Sequence, residues 1–374
     1  MIKSKKLDLN IFILPFLNVL MFIILSDFGQ SFMMGIGLSF IFALIFMLFY
    51  IINIKKIPNK VNIAFLILFI YSFISSLIAM DLYYGIISIG TVSSFALLVS
   101  LKMSDDKWKK SFMITSLFST GILILYNLKY VLVNWNPNSI GGFCLLGMLM
   151  SIFALFIENK KKKKFIIFLF ILYQIVQLYF TDCRTATLIF VLALIFSYYF
   201  ITFHRGKTSK VYSIFLLVCL SFTLLATQYM QFINSNYSKW LVDISVQLFN
   251  KPTLFSDRES IWNICSYLVK DFRIFGCGKS LYHLIYSHNM FYSIQYTYGL
   301  VGYLLYSAYL FITCTYIRDH STNKIIPYIS IIIFASILIG QITENTMFTS
   351  DSNIFMSYIL LSIGLATVVN KGGD

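Results

Sequence analysis

Charge is what this sequence is short of. Only 12% of its 374 residues are charged, about half the ~25% of an ordinary soluble domain. That leaves too little polar surface to cover a water-soluble globule. Carboxylates are the scarcer sign, 15 Asp and Glu against 29 Lys and Arg. There are four histidines and six cysteines, and their spacing matches no His–Cys metal cluster. A phosphate-binding P-loop and an Asp-rich metal pair on one loop are also missing. Intramembrane carboxylates are nearly absent, with Glu344 the best one, whereas proton-coupled transporters usually carry more.

Apolar residues fill the space left by charge. They make up 59% of the chain, and the mean hydropathy is +0.81. They come in runs of roughly 17 to 25, the length that crosses a bilayer core at ~1.5 Å per residue. The runs predict about twelve transmembrane helices, over 9–25, 32–53, 62–79, 83–101, 111–130, 138–157, 165–181, 185–203, 212–230, 289–317, 325–344 and 353–370. Lipid requires internally bonded backbone, and runs such as 165–172 lack the period-two alternation of barrel strands. The expected fold is therefore an all-α integral membrane protein, one polytopic domain over 1–374. The basic start of the chain is expected to precede a retained first span, since Ser26-Asp27-Phe28-Gly29 makes a poor cleavage site.

The net charge of +14 follows from topology and gives no reason to invoke nucleic acid. With the N-terminus inside, the alternate loops collect Lys55, Lys56, Lys60, Lys102, Lys107, Lys109, Lys110, the lysines 160–164 and Arg205. The whole excess lies on that side, as the positive-inside rule requires. An even number of spans puts both termini in the cytoplasm, and the chain is placed in the cytoplasmic membrane.

One extracytoplasmic loop, 231–287, is long enough to build structure of its own. Ser256-Asp257-Arg258-Glu259 reads as a capping box. The helix it opens places Ile261, Cys265, Leu268 and Phe272 on one face and is expected to lie on the membrane surface and stop at Gly276-Cys277-Gly278. A second helix is expected over 237–249. Whether Cys265 and Cys277 pair is left open.

Three residues on the expected outer side can do chemistry. His288, at the start of the tenth span, either takes a proton from a hydroxyl or merely caps a helix. Arg184, in the turn Thr181-Asp182-Cys183-Arg184-Thr185, suits a phosphate or diphosphate, or else pairs with Asp182. Arg258, at a helix start, favours an anion, or pairs with Asp257 or Glu259. Arg273 and Lys279 are further cations on the same loop.

These residues fall into a pattern. His288-Asn289, nine residues, then Gly299-Leu300-Val301-Gly302 closes the loop. Arg184-Thr185-Ala186 sits between two spans; Arg258 and Trp262 open a helix, and Phe275-Gly276-Cys277-Gly278 follows. Asn136-Pro137-Asn138 precedes the sixth span. In this order the motifs resemble those of the bacterial O-antigen polymerase and O-antigen ligase superfamily, most of all a capsular polysaccharide repeat-unit polymerase. Asp182-Cys183 departs from the small or hydroxyl residues more usual there.

The resemblance implies a multi-span glycosyltransferase of GT-C-like architecture, metal-independent and cofactor-free, that inverts the anomeric centre. Its donor would be an undecaprenyl-diphosphate-linked oligosaccharide in the membrane lipid. His288 would be the general base, and Arg184 and Arg258 would stabilise the diphosphate leaving group. Asn289, Arg273, Lys279 and Glu344 would bind substrate. A chain-length regulator and a flippase of the same pathway are the implied partners. A ligase of the same superfamily is the near alternative. A lipid-linked oligosaccharide flippase is the rival of another class, disfavoured by the scarcity of mid-span charge and by the long outer loop.

Overall fold

The computed structural model describes residues 34–87, 105–128, 137–181, 183–203, 258–281, 284–285 and 287–320, with isolated positions at 12, 15, 90 and 93, within 214–225, at 246–247 and within 335–342. Every regular element among them is helical. The α-helices are α1 (Met34–Asn53), α2 (Asn59–Ile78), α3 (Asp105–Asn127), α4 (Pro137–Ile157), α5 (Lys161–Phe180), α6 (Arg184–Phe203), α7 (Arg258–Lys270) and α8 (Met290–His320). Three of them are long and apolar enough to cross a membrane: Asn59–Ile78, Lys161–Phe180 and Met290–Tyr316. Within α4 and α6, the stretches Ile140–Leu155 and Arg184–Phe196 are also apolar.

The helices turn their apolar side chains outward. On α2, Ile63, Ile67, Ile70, Ile74 and Leu77 form an exposed stripe at helical spacing. The opposite stripe, Val61, Phe65, Leu68, Ser72 and Ser76, is buried. On α5, Phe165, Phe168, Leu169, Leu172 and Val176 are exposed while Gln174 is wholly buried. In water such stripes would aggregate; in lipid they are the solvated face. This pattern, together with length, marks an all-helical membrane protein.

Seven expected spans, 32–53, 62–79, 111–130, 138–157, 165–181, 185–203 and 289–317, coincide with α1 to α6 and α8. The other five lie wholly or largely outside the described residues. Two helices start earlier than expected, α3 at Asp105 and α5 at Lys161. Charge bounds an apolar run, but Lys and Asp do not stop a helix that has left the bilayer.

Two packing groups build the described core. In the first, α4 lies between α3 and α5 and also touches α6. Its Phe143, Cys144, Leu146, Met148, Leu149 and Phe153 are fully buried, as an all-round apolar helix must be. Gly147 lets α5 and α3 close on it, since a Cβ there would lie 2.8 Å from Gln174 Cδ and 3.0 Å from Ser119 Cβ. Gln174 Nε2 donates to Thr120 Oγ1 at 2.8 Å across α3 and α5. At the end of this group where α5 begins, Glu158 accepts the N–H groups of Asn159 and Lys160, both at 2.9 Å. Those bonds, led by the one from Lys160 and helped by Lys109, hold its carboxyl below the usual range.

The second group is α2 against α8, with α7 also on α8. α2 and α8 run antiparallel, with the Phe65 and Tyr309 rings 5.6 Å apart and Ser76 Oγ 3.1 Å from Tyr298 Oη. α8 is broken at Gly299, whose φ of 66° and ψ of −168° are not helical. The character of the helix changes there. Residues 290–299 are all buried, whereas Leu300 and Leu304 beyond the break are exposed.

The break is filled by the segment after α7. Leu300 N–H donates to Arg273 O at 2.8 Å and Val301 N–H to Ile274 O at 3.1 Å. In return Cys277 N–H donates to Tyr296 O at 2.9 Å and Gly278 N–H to Thr297 O at 2.8 Å. The glycines of both motifs make this approach possible. A Cβ on Gly276 would lie 2.5 Å from Thr297 C and Tyr298 N; one on Gly299 would lie 2.5 Å from Gly276 N and collide with the Ile274 carbonyl. Both glycines have positive φ, 76° and 66°. The expected helix end at Gly276-Cys277-Gly278 is thus corrected. The helix stops at Lys270, and the glycines dock main chain on main chain.

Gly299→Ala is expected to cost at least ~1–3 kcal/mol of strain and to lower the unfolding temperature in detergent. Gly121→Ala, where a Cβ would meet nothing within 4 Å, is expected to be neutral or to gain up to ~1 kcal/mol. Equal melting temperatures for the two variants would contradict the docking.

Candidate functional site

The site residues are best built outward from the turn Ser287-His288-Asn289. Asn289 is fully buried, and it is the N-cap of α8. Its Oδ1 accepts Phe291 N–H at 2.9 Å and Tyr292 N–H at 3.1 Å. Its Nδ2 donates to Ile342 O at 2.8 Å. Ser287 Oγ lies 2.9 Å from Asn289 O and 3.0 Å from Ser293 Oγ. The turn is closed by its own polar groups, so His288 between them has little freedom.

His288 is half-buried and has φ of 48°. Left-handed backbone is uncommon for a non-glycine residue, with His among the more tolerant types. Such conformations persist only where their surroundings impose them, and they cluster at functional sites.

α7 is pinned to the same turn. Trp262 is 2% exposed, and its indole N–H donates to Ser287 O at 2.9 Å. Trp262, Cys265 and Val269 form its buried stripe, one position round from the expected face. Ile261 and Leu268 flank that stripe, and Phe272 beyond the helix is exposed. Ile264 and Tyr267 on the other side are exposed. Arg258, the first residue of α7, is half-buried. Burial pushes the Cys265 thiol up to about 12, and both Cys265 and Cys277 are free. Ser256 and most of the expected helix 237–249 lie outside the described residues, where only Val246 and Gln247 are described, both helical.

Arg184 is the first residue of α6 and is half-buried. The turn before it is tight: Thr181 Oγ1 donates to Leu178 O at 2.7 Å, and Cys183 N–H reaches that Oγ1 at 3.3 Å. Gly141 on α4 seats Cys183, as a Cβ there would lie 2.8 Å from its Sγ. The Cys183 thiol is thus accommodated by a glycine on the neighbouring helix. Asp182 lies outside the described residues.

A short stretch near residue 340 joins the Arg184 helix to the histidine turn, which the Arg258 helix reaches through Trp262. Gly340 meets α6, where a Cβ would lie 3.7 Å from Thr185 Cγ2. Two residues later Ile342 O accepts the Asn289 amide. Thr185 adjoins Arg184, and Asn289 adjoins His288. The elements bearing Arg184, Arg258 and His288 therefore converge at one end of the bundle. Glu344, two residues beyond Ile342, lies outside the described residues. Arg273 and Lys279 have exposed side chains, while the Arg273 carbonyl belongs to the glycine docking.

Sequence reasoning passed over the end of α2. Tyr71 Oη lies 2.9 Å from Phe275 O and 2.8 Å from Tyr298 O. Asp81, buried, accepts Ser280 N–H at 2.7 Å through Oδ2. The available signal was a carboxylate just past an apolar run, preceded by hydroxyls at 72 and 76 on one helical face.

Residues 169–307 match a family model described as O-antigen ligase. The matched stretch contains Arg184, Arg258, His288 and both glycine motifs, and it supports the resemblance to the O-antigen polymerase and ligase superfamily. No curated protein matches the chain.

Asn289→Ala removes the cap and is expected to cost ~0.5–2 kcal/mol or more. Lys279→Ala, at an exposed position, should stay within ~0.5 kcal/mol of wild type. Thermal unfolding of the two purified variants checks the difference, and an Asn289→Ala protein as stable as wild type would contradict the cap.

Proposed function

We propose that this protein transfers a glycan from a polyprenyl-diphosphate donor, and that it polymerises lipid-linked repeat units into a capsular or O-antigen-like polysaccharide. The observation that carries the reading is the family-model match over 169–307, with His288 held in left-handed backbone inside it.

In this reading the growing chain enters on its lipid diphosphate, and the acceptor is a hydroxyl of the next lipid-linked unit. The His288 imidazole takes the hydroxyl proton as the oxygen attacks C1 of the donor sugar. The new C1–O bond forms as the C1–O bond to the diphosphate breaks, and attack from the far side inverts the anomeric centre. The diphosphate leaves with the bonding electron pair. Arg184 and Arg258, each opening a helix, stabilise that charge with guanidinium and helix N–H groups. Arg273, Lys279 and Glu344 are proposed substrate contacts around this centre. Asn289 fits the scheme as the residue that fixes the turn.

The site would face the outside of the cytoplasmic membrane, with both termini inside and all residues in one polytopic domain whose large loop is 231–287. Sugars there arrive activated on lipid, so the donor class follows from the location. A flippase and a chain-length regulator would serve the same pathway. Ligation of finished glycan to a different acceptor is a second reading, favoured by the ligase description of the matching model.

A deletion strain is expected to make single repeat units without long chains. Arg184→Ala, Arg258→Ala and His288→Ala should reproduce that phenotype at normal protein level, read as glycan ladders. Intact lipid-linked polymer with lost attachment would replace polymerase by ligase. Wild-type ladders in all three variants would sink the catalytic assignment. His288→Gly, which relieves the left-handed backbone, should match or exceed wild-type thermal stability while losing chain extension.

A further inference from the structure

One element that supports the histidine turn, the end of α2, lies outside the matched stretch. We propose that Tyr71 on α2 is a positioning residue of the transfer reaction. Its hydroxyl locks the hinge at Gly299 and so sets where His288 sits. This rests on the reading of His288 given above.

The break in α8 frees backbone groups that must find partners in a dry environment. Four N–H groups are matched by the crossed bonds between 273–278 and 296–301. The carbonyls of Phe275, in the first glycine motif, and Tyr298, just before the second, meet at a single hydroxyl. Tyr71 Oη is 2.9 Å from the first and 2.8 Å from the second. One hydrogen shared in a three-centre bond thus ties the two motifs to α2.

Other contacts from the same helix end point the same way. Ser76 Oγ is 3.1 Å from Tyr298 Oη. Gly278 sits on α2, where a Cβ would lie 2.7 Å from Ala79 Cβ and collide with the Ser75 carbonyl. Gly302 leaves room for the Tyr71 ring, 3.4 Å from a Cβ placed there. Asp81 holds Ser280 N–H at 2.7 Å. The second glycine of each motif therefore faces α2.

Geometry converts this clamp into an effect on chemistry. The buried stretch 290–298 runs unbroken from the hinge to the His288 turn. At ~1.5 Å per residue it is a lever of ~15 Å, so a tilt of ~4° at Gly299 carries the turn by ~1 Å. A misplacement of that size can cost ~100-fold in rate.

The test uses Tyr71→Phe, which removes one oxygen and keeps the ring. With the full-length protein in liposomes and a purified lipid-linked repeat unit, kcat is expected to fall ~10- to 100-fold with KM within about threefold. On a His288→Ala background the same change should add no further loss, because both act through one group. Hydrogen–deuterium exchange should rise over 273–301 and not over α4. Wild-type kcat, or losses that multiply on the His288→Ala background, would overturn the proposal, as would unchanged exchange. A wild-type protein that transfers no glycan, together with raised exchange in Tyr71→Phe, would remove the transfer reading and leave the clamp standing.

Discussion

The arrangement depends on two pieces of backbone meeting without side chains between them. Around Gly299 the α8 helix gives up its own hydrogen bonds, and the 273–278 segment supplies replacements in both directions. In a low-dielectric setting each unmatched backbone group costs several kcal/mol. A helix can break there only if another backbone is at hand. The glycines at 276, 278, 299 and 302 make that approach possible, since a Cβ at any of them would strike a neighbour. The buried stretch 290–299, the Asn289 cap and the His288 turn all hang from this joint.

The joint also explains why the surrounding elements are where they are. α7 reaches the turn through Trp262, α2 closes the hinge through Tyr71 and Ser76, and the 340–342 stretch ties α6 to Asn289. The helix starts that carry Arg184 and Arg258 are thus gathered beside a histidine in enforced left-handed backbone. The opposite end holds the lysines around Glu158. Among the described residues, one end is polar and irregular and the other carries the exposed lysines 160–164.

The sequence made some of this legible. Apolar runs located seven described helices, with ends off by up to six residues at Asp105, because length and hydropathy are what lipid selects. The site motifs were visible as a pattern in chain order, and the family-model match covers most of it. The reason for the glycines was not legible. Gly276-Cys277-Gly278 looks like a helix stop, since a stop and a main-chain docking site both ask for positive φ. The cap formed by Asn289 was not legible either, because its capping partners are identifiable only once Met290 begins a helix. Tyr71 and Asp81 were invisible as partners of residues some two hundred positions away, for pairings of that range leave no local signal.

In the proposed reaction His288, fixed by this joint, promotes glycan transfer from a lipid diphosphate. The most direct measurement is in vitro extension of one purified lipid-linked repeat unit by the purified protein in liposomes, with products sized by mass. Wild type should give a ladder of inverted linkages and release lipid diphosphate one-for-one with each bond, while His288→Ala of unchanged melting temperature extends chains ~100-fold or more slower. A His288→Ala protein that extends chains at the wild-type rate would contradict the account.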